Sequence, residues 1–251
     1  METLTFKAFR AVDDPSMCAE FLKQHRKVLE DFGITNVTTN NEDWTTDPDT
    51  YVIVALSNKN GMVGGIRVEV DRGTRDLPIH SALYELDHRI APALTALREH
   101  GNGEVCGLWN SNKYASLGLP AMLAFAAVSL GNQIGLRSMV CLVAHYTLRH
   151  ALKSGFTILE EIGNGGTFTY PIPSIKAIAM VIPDVIALST APLEHRRHMM
   201  SLRLRPEQER IEVLGRVPTR CVYQLCIDKK VLDLRAYVEV LCMHHQHVAT
   251  A

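Results

Sequence analysis

Residues 104–123, Glu-Val-Cys-Gly-Leu-Trp-Asn-Ser-Asn-Lys-Tyr-Ala-Ser-Leu-Gly-Leu-Pro-Ala-Met-Leu, carry the densest chemical signal in this chain. The spacing predicts a strand, a polar loop ending at Gly118, and a helix opening at Leu119 with Pro120 in its first turn. A strand that feeds a helix through a tight loop aims unpaired backbone N–H groups at one spot, and the helix dipole adds positive potential there. Such a spot holds phosphate, so the arrangement points to a pyrophosphate-bearing cofactor, with Lys113 as a point charge beside it. Glu104 opens the strand next to this loop, where a carboxylate can accept the proton of an ammonium group, directly or through water. The plain alternative for Glu104 is an ion pair at a strand end.

Other residues are candidates for binding. Arg67 lies in Val63-Gly-Gly-Ile-Arg-Val-Glu-Val70. If Ile66, Val68 and Val70 face the core, Arg67 and Glu69 share the opposite face. There Arg67 would clamp a substrate carboxylate or pair with an acidic neighbour across the strands. Trp44 in a polar loop suggests an exposed lid over an apolar chain. Asp47 and Asp49 flank Pro48 and fit either an amine headgroup or turn chemistry. Trp109 fits either an apolar ligand tunnel or the core. Arg196, Arg197, His198, Arg203 and Arg205 form a basic run, read as a solvated face or as a dock for an acidic partner. Cys106 and Cys141 sit in apolar strand contexts that favour packing over nucleophilic chemistry. The run Met243-His-His-Gln-His247 matches no common metal-ligand spacing, so no metal is expected.

The elements that position these residues follow from periodicity. Leu4–Val12 reads as a strand, followed by a helix from Pro15, capped by Asp14 and closed by Gly33. Two strands, Tyr51–Leu56 and Met62–Val70, join through Asn58-Lys-Asn-Gly61. One or two helices fill Pro78–His100. The central block is strand 103–110, helix 119–134, strand 137–144, helix 146–154 and strand 156–161. Beyond Pro171 the pattern predicts strands at 178–182 and 217–227 and helices at 192–202 and 231–247. Helical connections between strands imply at least one parallel crossover and a mixed sheet.

The order of elements over roughly residues 1–165 resembles the GNAT superfamily of acyl-CoA N-acyltransferases. Their loop signature, Arg/Gln-x-x-Gly-x-Gly/Ala, aligns with Lys113, Ser116 and Gly118, with lysine and serine replacing the first two signature residues. Ala151-Leu-Lys-Ser-Gly-Phe156 looks like the family's helix end before its sixth strand, with Ala151 where a tyrosine general acid often stands; Tyr146 or His150 is the alternative acid. A narrower resemblance is to acyl-homoserine-lactone synthases and long-chain N-acyl amino acid synthases. It rests on residues 26–29 (Arg-Lys-Val-Leu), Trp44 with Asp47, Asp49 and Tyr51, residues 64–67 (Gly-Gly-Ile-Arg), residues 77–79 (Leu-Pro-Ile), and Glu104. Their Glu-x-Ser-Arg pattern is here Glu104-Val105-Cys106-Gly107, without the arginine.

The resemblance implies a GNAT-like α/β fold with a mixed, mostly antiparallel sheet flanked by helices. The acyltransferase domain would span 1–170, with a C-terminal α/β extension over 171–251 packed on it. It implies acyl-CoA, or acyl-carrier protein, as co-substrate. Leu108, Trp109 and Asn110 would hold pantetheine and the thioester carbonyl from a splayed or bulged strand, and Lys113, Ser116, Gly118 and Leu119 would take the pyrophosphate. Glu104 and Tyr146 would be catalytic, and Trp44 and Arg67 would bind the amine acceptor. A non-catalytic acyl-CoA-binding module on the same fold is the alternative, and a homodimer is a further expectation.

Composition agrees with this frame. The 251 residues are 47% hydrophobic and 21% charged, with a net charge of −1. That is ordinary for a globular protein and gives no global field for nucleic acid or an anionic membrane. No secretory signal or membrane-spanning run is visible, and the six cysteines show no paired metal spacing. A reducing cytoplasm is the expected setting.

Overall fold

The computed structural model describes residues 2–31, 33 and 41–228. One mixed sheet organises them, in the order β6-β8-β5-β4-β3-β2-β1-β10-β9, with β7 pairing β8. The strands are β1 (Thr3–Arg10), β2 (Thr50–Ser57), β3 (Gly61–Val70), β4 (Asn102–Asn110), β5 (Ser138–Ala144), β6 (Thr157–Ile158), β7 (Thr167–Thr169), β8 (Lys176–Ile182), β9 (Glu207–Leu214) and β10 (Val217–Gln224). β4 with β5 and β1 with β10 are parallel, and the other pairs are antiparallel. The mixed, mostly antiparallel sheet flanked by helices that the sequence predicts is the fold observed.

Helices cover both faces. The helix α1 (Pro15–Asp31) begins where the Asp14 carboxylate accepts the Met17 N–H at 3.1 Å. This satisfies a backbone donor at the helix start. Its stripe Cys18, Phe21, Leu22 and His25 is buried at helical spacing. On the same face, α2 (Pro78–Leu83) and α3 (Ile90–Arg98) bury Leu77, Ile79, Leu83, Ile90 and Leu94 against β5 and β8. The opposite face carries α4 (Leu119–Ser129), α5 (Leu148–Lys153) and α6 (Leu193–Leu204).

Two glycines admit helices from both sides. A Cβ on Gly65 would lie 2.4 Å from the Phe21 ring of α1, and one on Gly64 would lie 3.1 Å from Leu119 and Leu123 of α4. β3 is thereby clamped between α1 and α4, and its neighbour β4 is fixed with it.

The sequence reading needs several corrections. The helix expected over 119–134 stops at Ser129; turns carry the chain to Gly135, at φ +74°. The strand expected over 156–161 pairs only at Thr157–Ile158. β9 was not anticipated because Glu-Gln-Glu-Arg-Ile-Glu-Val-Leu is too charged to show a core face, and its alternate residues are solvent-exposed. The basic run does not form one face. Arg203 is buried, and its guanidinium donates to the carbonyls of Val185 (2.6 Å), Ile186 (3.0 Å) and Val128 (3.2 Å), so it fastens α6 to α4. The helix expected over 231–247 and the run Met243–His247 lie outside the described residues.

Gly65→Ala is expected to cost about 1–3 kcal/mol, because Phe21 has no room to retreat within a packed core. A urea-denaturation midpoint lowered at unchanged slope is the readout.

Candidate active site

The β3–β4 register places Arg67 opposite Cys106 and Glu69 opposite Glu104. Period-two alternation sends Ile66, Val68 and Val105 into the α4-side core, leaving Arg67, Glu69, Glu104 and Cys106 together on the other face. Arg67, Glu69 and Glu104 are each no more than 1% exposed. The Arg67 guanidinium donates to Glu69 at 2.7 Å. Arg75 donates to the other Glu69 oxygen at 2.6 Å and to Asp47 at 2.6 Å. The Cys106 thiol donates to Glu69 at 3.4 Å. Gly107, at φ +61°, makes space for this stripe, since a Cβ there would lie 2.5 Å from Arg67 Nη1.

Trp44 is not an exposed lid. It is fully buried in the turn Asp43–Thr46, with its ring 5.5 Å from Phe21 and the Arg67 guanidinium 4.8 Å from its centroid. A cation held away from water gains from an aromatic face, and the polar residues beside Trp44 conceal this in the sequence.

Electrostatics divides the carboxylates. Burial opposes charge on Glu69, but Arg67 and Arg75 outweigh it and hold its carboxyl below the usual range. Glu104 goes the other way. Burial, then repulsion from Glu69, push it well above the ordinary carboxylate value, against the Ile79 N–H that donates to it at 2.7 Å and the attraction of Arg67 and Arg75. Burial, then Arg67 and Arg26, lower His25 to about 3, so its imidazole stays neutral. Burial raises the Cys106 and Cys141 thiols well above their usual value, which disfavours them as thiolate nucleophiles.

Next to this stripe the sheet opens. β4 pairs with β5 only over Asn102–Glu104 against Ser138–Val140. Beyond that, β5 stays with β8 as far as Ala144, while β4 stays with β3. Gly107 and Leu108 together face the single residue Ile66, a β-bulge in β4. The two strand edges therefore part as a V, with half-buried Leu108 and Asn110 on one arm and Leu142, Val143 and Ala144 on the other. Trp109 points away from these, stacking edge-on against Phe21 at 5.8 Å in the α1-side core.

The loop into α4 follows the V. Lys113 donates to Asn60 at 2.9 Å, and Tyr114 is hydrogen-bonded to Glu2 and Asn60. Ser116 (φ +65°) and Gly118 (φ +91°) both adopt left-handed backbone. Among the described residues, the N–H groups of Ser116, Gly118 and Leu119 have no hydrogen-bond acceptor. Tyr146, just past β5, is 52% exposed, with its ring 5.2 Å from His145. Glu104, Arg67 and Trp44 thus share one buried cluster; Leu108, Asn110, Lys113, Ser116, Gly118 and Leu119 follow the splayed strand and its loop; Tyr146 stands apart in solvent.

Arg75 is the cluster member that sequence reasoning missed. It sits in a polar link with no period to mark it. Asp47 and Glu69 were flagged by position, but their shared partner emerges only from the fold. Two open grooves along α1, lined by Ala19, Leu22 and Glu42 among others, share no lining residue with the splay. Among the described residues, no group of three or more His, Cys, Asp or Glu side chains could hold a metal ion.

Comparison with solved structures adds to this geometry. FeeM, an N-acyl amino acid synthase from uncultured soil microbes, superposes with a TM-score of 0.57 at 15% identity, covering 78% of this chain and 99% of that chain. BjaI, a CoA-dependent acyl-homoserine lactone synthase solved with SAM and isopentyl-CoA, gives a TM-score of 0.52 at 14% identity, covering 93% of this chain and 99% of that chain. The fold is theirs. No protein-family model and no curated protein matches the sequence.

Two opposite pH effects should follow. The folded-state pKa of Glu104 is raised, so its contribution to stability is full below the ordinary carboxylate value and is lost as pH rises through the folded value. Glu104→Gln should therefore raise the melting temperature at mildly alkaline pH, by on the order of 1 kcal/mol of stability, and flatten its alkaline pH dependence. Glu69 is lowered, so its contribution is present above the ordinary value and is lost on acidification. Glu69→Gln should cost about 3–5 kcal/mol at neutral pH by leaving Arg67 buried without its ion pair. Thermal melts of both variants between about pH 3 and pH 9 give the comparison.

Proposed function

We propose that the chain is an N-acyltransferase that moves an acyl group from acyl-CoA, or from acyl-carrier protein, to the primary amine of a small molecule such as an amino acid. One observation carries this reading: a splayed parallel strand pair lies beside a buried carboxyl whose pKa is raised. An ordinary carboxylate is too weak a base to deprotonate ammonium well, and raising its pKa narrows the gap. The fold shared with FeeM and BjaI supports the same class of reaction.

Each residue has a role. Backbone groups of Leu108, Trp109 and Asn110 hold pantetheine along the open edge of β4 and polarise the thioester carbonyl. Lys113 and the N–H groups of Ser116, Gly118 and Leu119 take the pyrophosphate of CoA. Arg67 and Trp44 shape the acceptor side. Glu104 gives its resting proton to water, and the carboxylate then takes one proton from the incoming ammonium, directly or through water. The amine nitrogen then bonds to the thioester carbon, and the tetrahedral intermediate collapses with cleavage of the C–S bond. The remaining excess proton on nitrogen passes to the thiolate through solvent-exposed Tyr146, and Glu104 is left protonated, as at rest. The reading includes a cytoplasmic setting, and it requires no metal.

Thermal denaturation with acetyl-, octanoyl- and palmitoyl-CoA against free CoA tests the donor. A ligand at about 100 times its Kd adds roughly 2.7 kcal/mol, so a shift that grows with chain length is expected. In a thiol-release assay with an amino-acid panel, Glu104→Gln should keep that shift and lose about 10²–10⁴-fold in turnover. No shift with any acyl-CoA or acyl-carrier protein, or full turnover in the variant, would count against the assignment.

A further inference from the structure

The two ends of the sheet differ. At one end the edge is blunted by β6 and β7, of two and three residues. At the other, β9 presents eight residues, and among the described residues its outer side has no neighbouring strand. The β9–β10 hairpin also holds apolar side chains in water: Ile211 is 59% exposed, Val213 71% and Val217 63%. A long open edge with apolar side chains is a template for pairing with another strand.

The order of charges along β9 selects the partner. Odd-numbered residues Glu207, Glu209, Ile211 and Val213 are exposed on one face, and even-numbered Gln208, Arg210 and Glu212 lie half-buried on the other. Two copies related by a two-fold axis normal to the sheet keep odd residues opposite odd. A register centred on Glu209, Arg210 or Glu212 sets a like charge opposite itself, which is unfavourable. Centring on Ile211 removes that clash. Arg210, which already pairs with Glu212 of its own strand at 2.8 Å, then also faces Glu212 of the partner subunit, and the symmetric pair repeats it. Ile211 meets its own copy, and Glu209 faces Val213 of the partner subunit.

We infer that the chain forms a two-fold homodimer by antiparallel pairing of β9 with β9, centred on Ile211. The contact is isologous, so it closes at two copies and leaves no free β9 edge for a filament. It stands independently of the acyl-transfer reading. Val213 and Ile211 from both copies form a continuous apolar stripe along the joined hairpins.

Light scattering coupled to size exclusion on the full chain tests this. Wild type should run at twice the chain mass. Ile211→Lys, at an exposed position that does not disturb the core, should run as a monomer with an unchanged circular dichroism spectrum. Arg210→Glu should also dissociate the dimer by facing glutamate with glutamate, and R210E/E212R should restore it by exchanging the charges. A wild-type monomer at all concentrations, as expected if residues 229–251 of the same chain cover β9, would overturn the inference. So would a dimer that survives Ile211→Lys, or a double variant that fails to re-form it.

Discussion

Charge balance inside the sheet governs this structure. Arg67 and Arg75 bring two positive charges, and Glu69 and Asp47 bring two negative ones, joined in a chain of contacts at 2.6–2.7 Å. The set is neutral without Glu104. A third buried carboxylate would be unpaired, and an unpaired charge at such depth costs several kcal/mol, so burial and the Glu69 charge hold the Glu104 carboxyl well above the ordinary carboxylate range. Burial, then the Arg67 and Arg26 charges, lower His25 to about 3, and burial raises the Cys106 thiol, against the pull of Arg67, while it donates to Glu69. Trp44 covers the Arg67 guanidinium with its ring.

The backbone around this cluster is shaped to the same end. Gly107 leaves the β4 ladder at a bulge, which makes space for Arg67 three residues past the last β4–β5 pair, Glu104 with Val140. The clamp of α1 and α4 on Gly65 and Gly64 fixes β3, and β3 fixes the register that sets Glu69 opposite Glu104. The loop at the head of α4 is braced from two sides. Tyr114 ties it to Glu2 and Asn60, and Leu117 packs on Gly215 at the tip of the β9–β10 hairpin. A dimer through β9 would therefore stiffen an element that touches the proposed pyrophosphate loop.

Much of the frame was legible in the sequence because period and turn chemistry are local. Asp14 with Pro15 marks the start of α1, Asn-Gly marks the β2–β3 turn, and the alternation of Ile66, Val68 and Val70 sets Arg67 and Glu69 on a common face. The apolar run opening at Leu119 marks α4, which is buried on nearly every side. What stayed hidden depends on long-range register. That Glu104 faces Glu69, that Arg75 reaches back to bridge Glu69 and Asp47, and that Trp44 turns inward are consequences of strand pairing and helix docking, with no local pattern to announce them. Arg203 misled for the same reason: a basic residue among arginines looks solvated until three carbonyls converge on it.

The central claim is that Glu104 is neutral in the resting protein. Infrared difference spectra of wild type against Glu104→Gln near neutral pH test it most directly. A protonated-carboxyl carbonyl band present in wild type and missing from the variant is the predicted result. A difference spectrum showing only carboxylate bands would mean that Glu104 is ionised at rest and would contradict the charge balance.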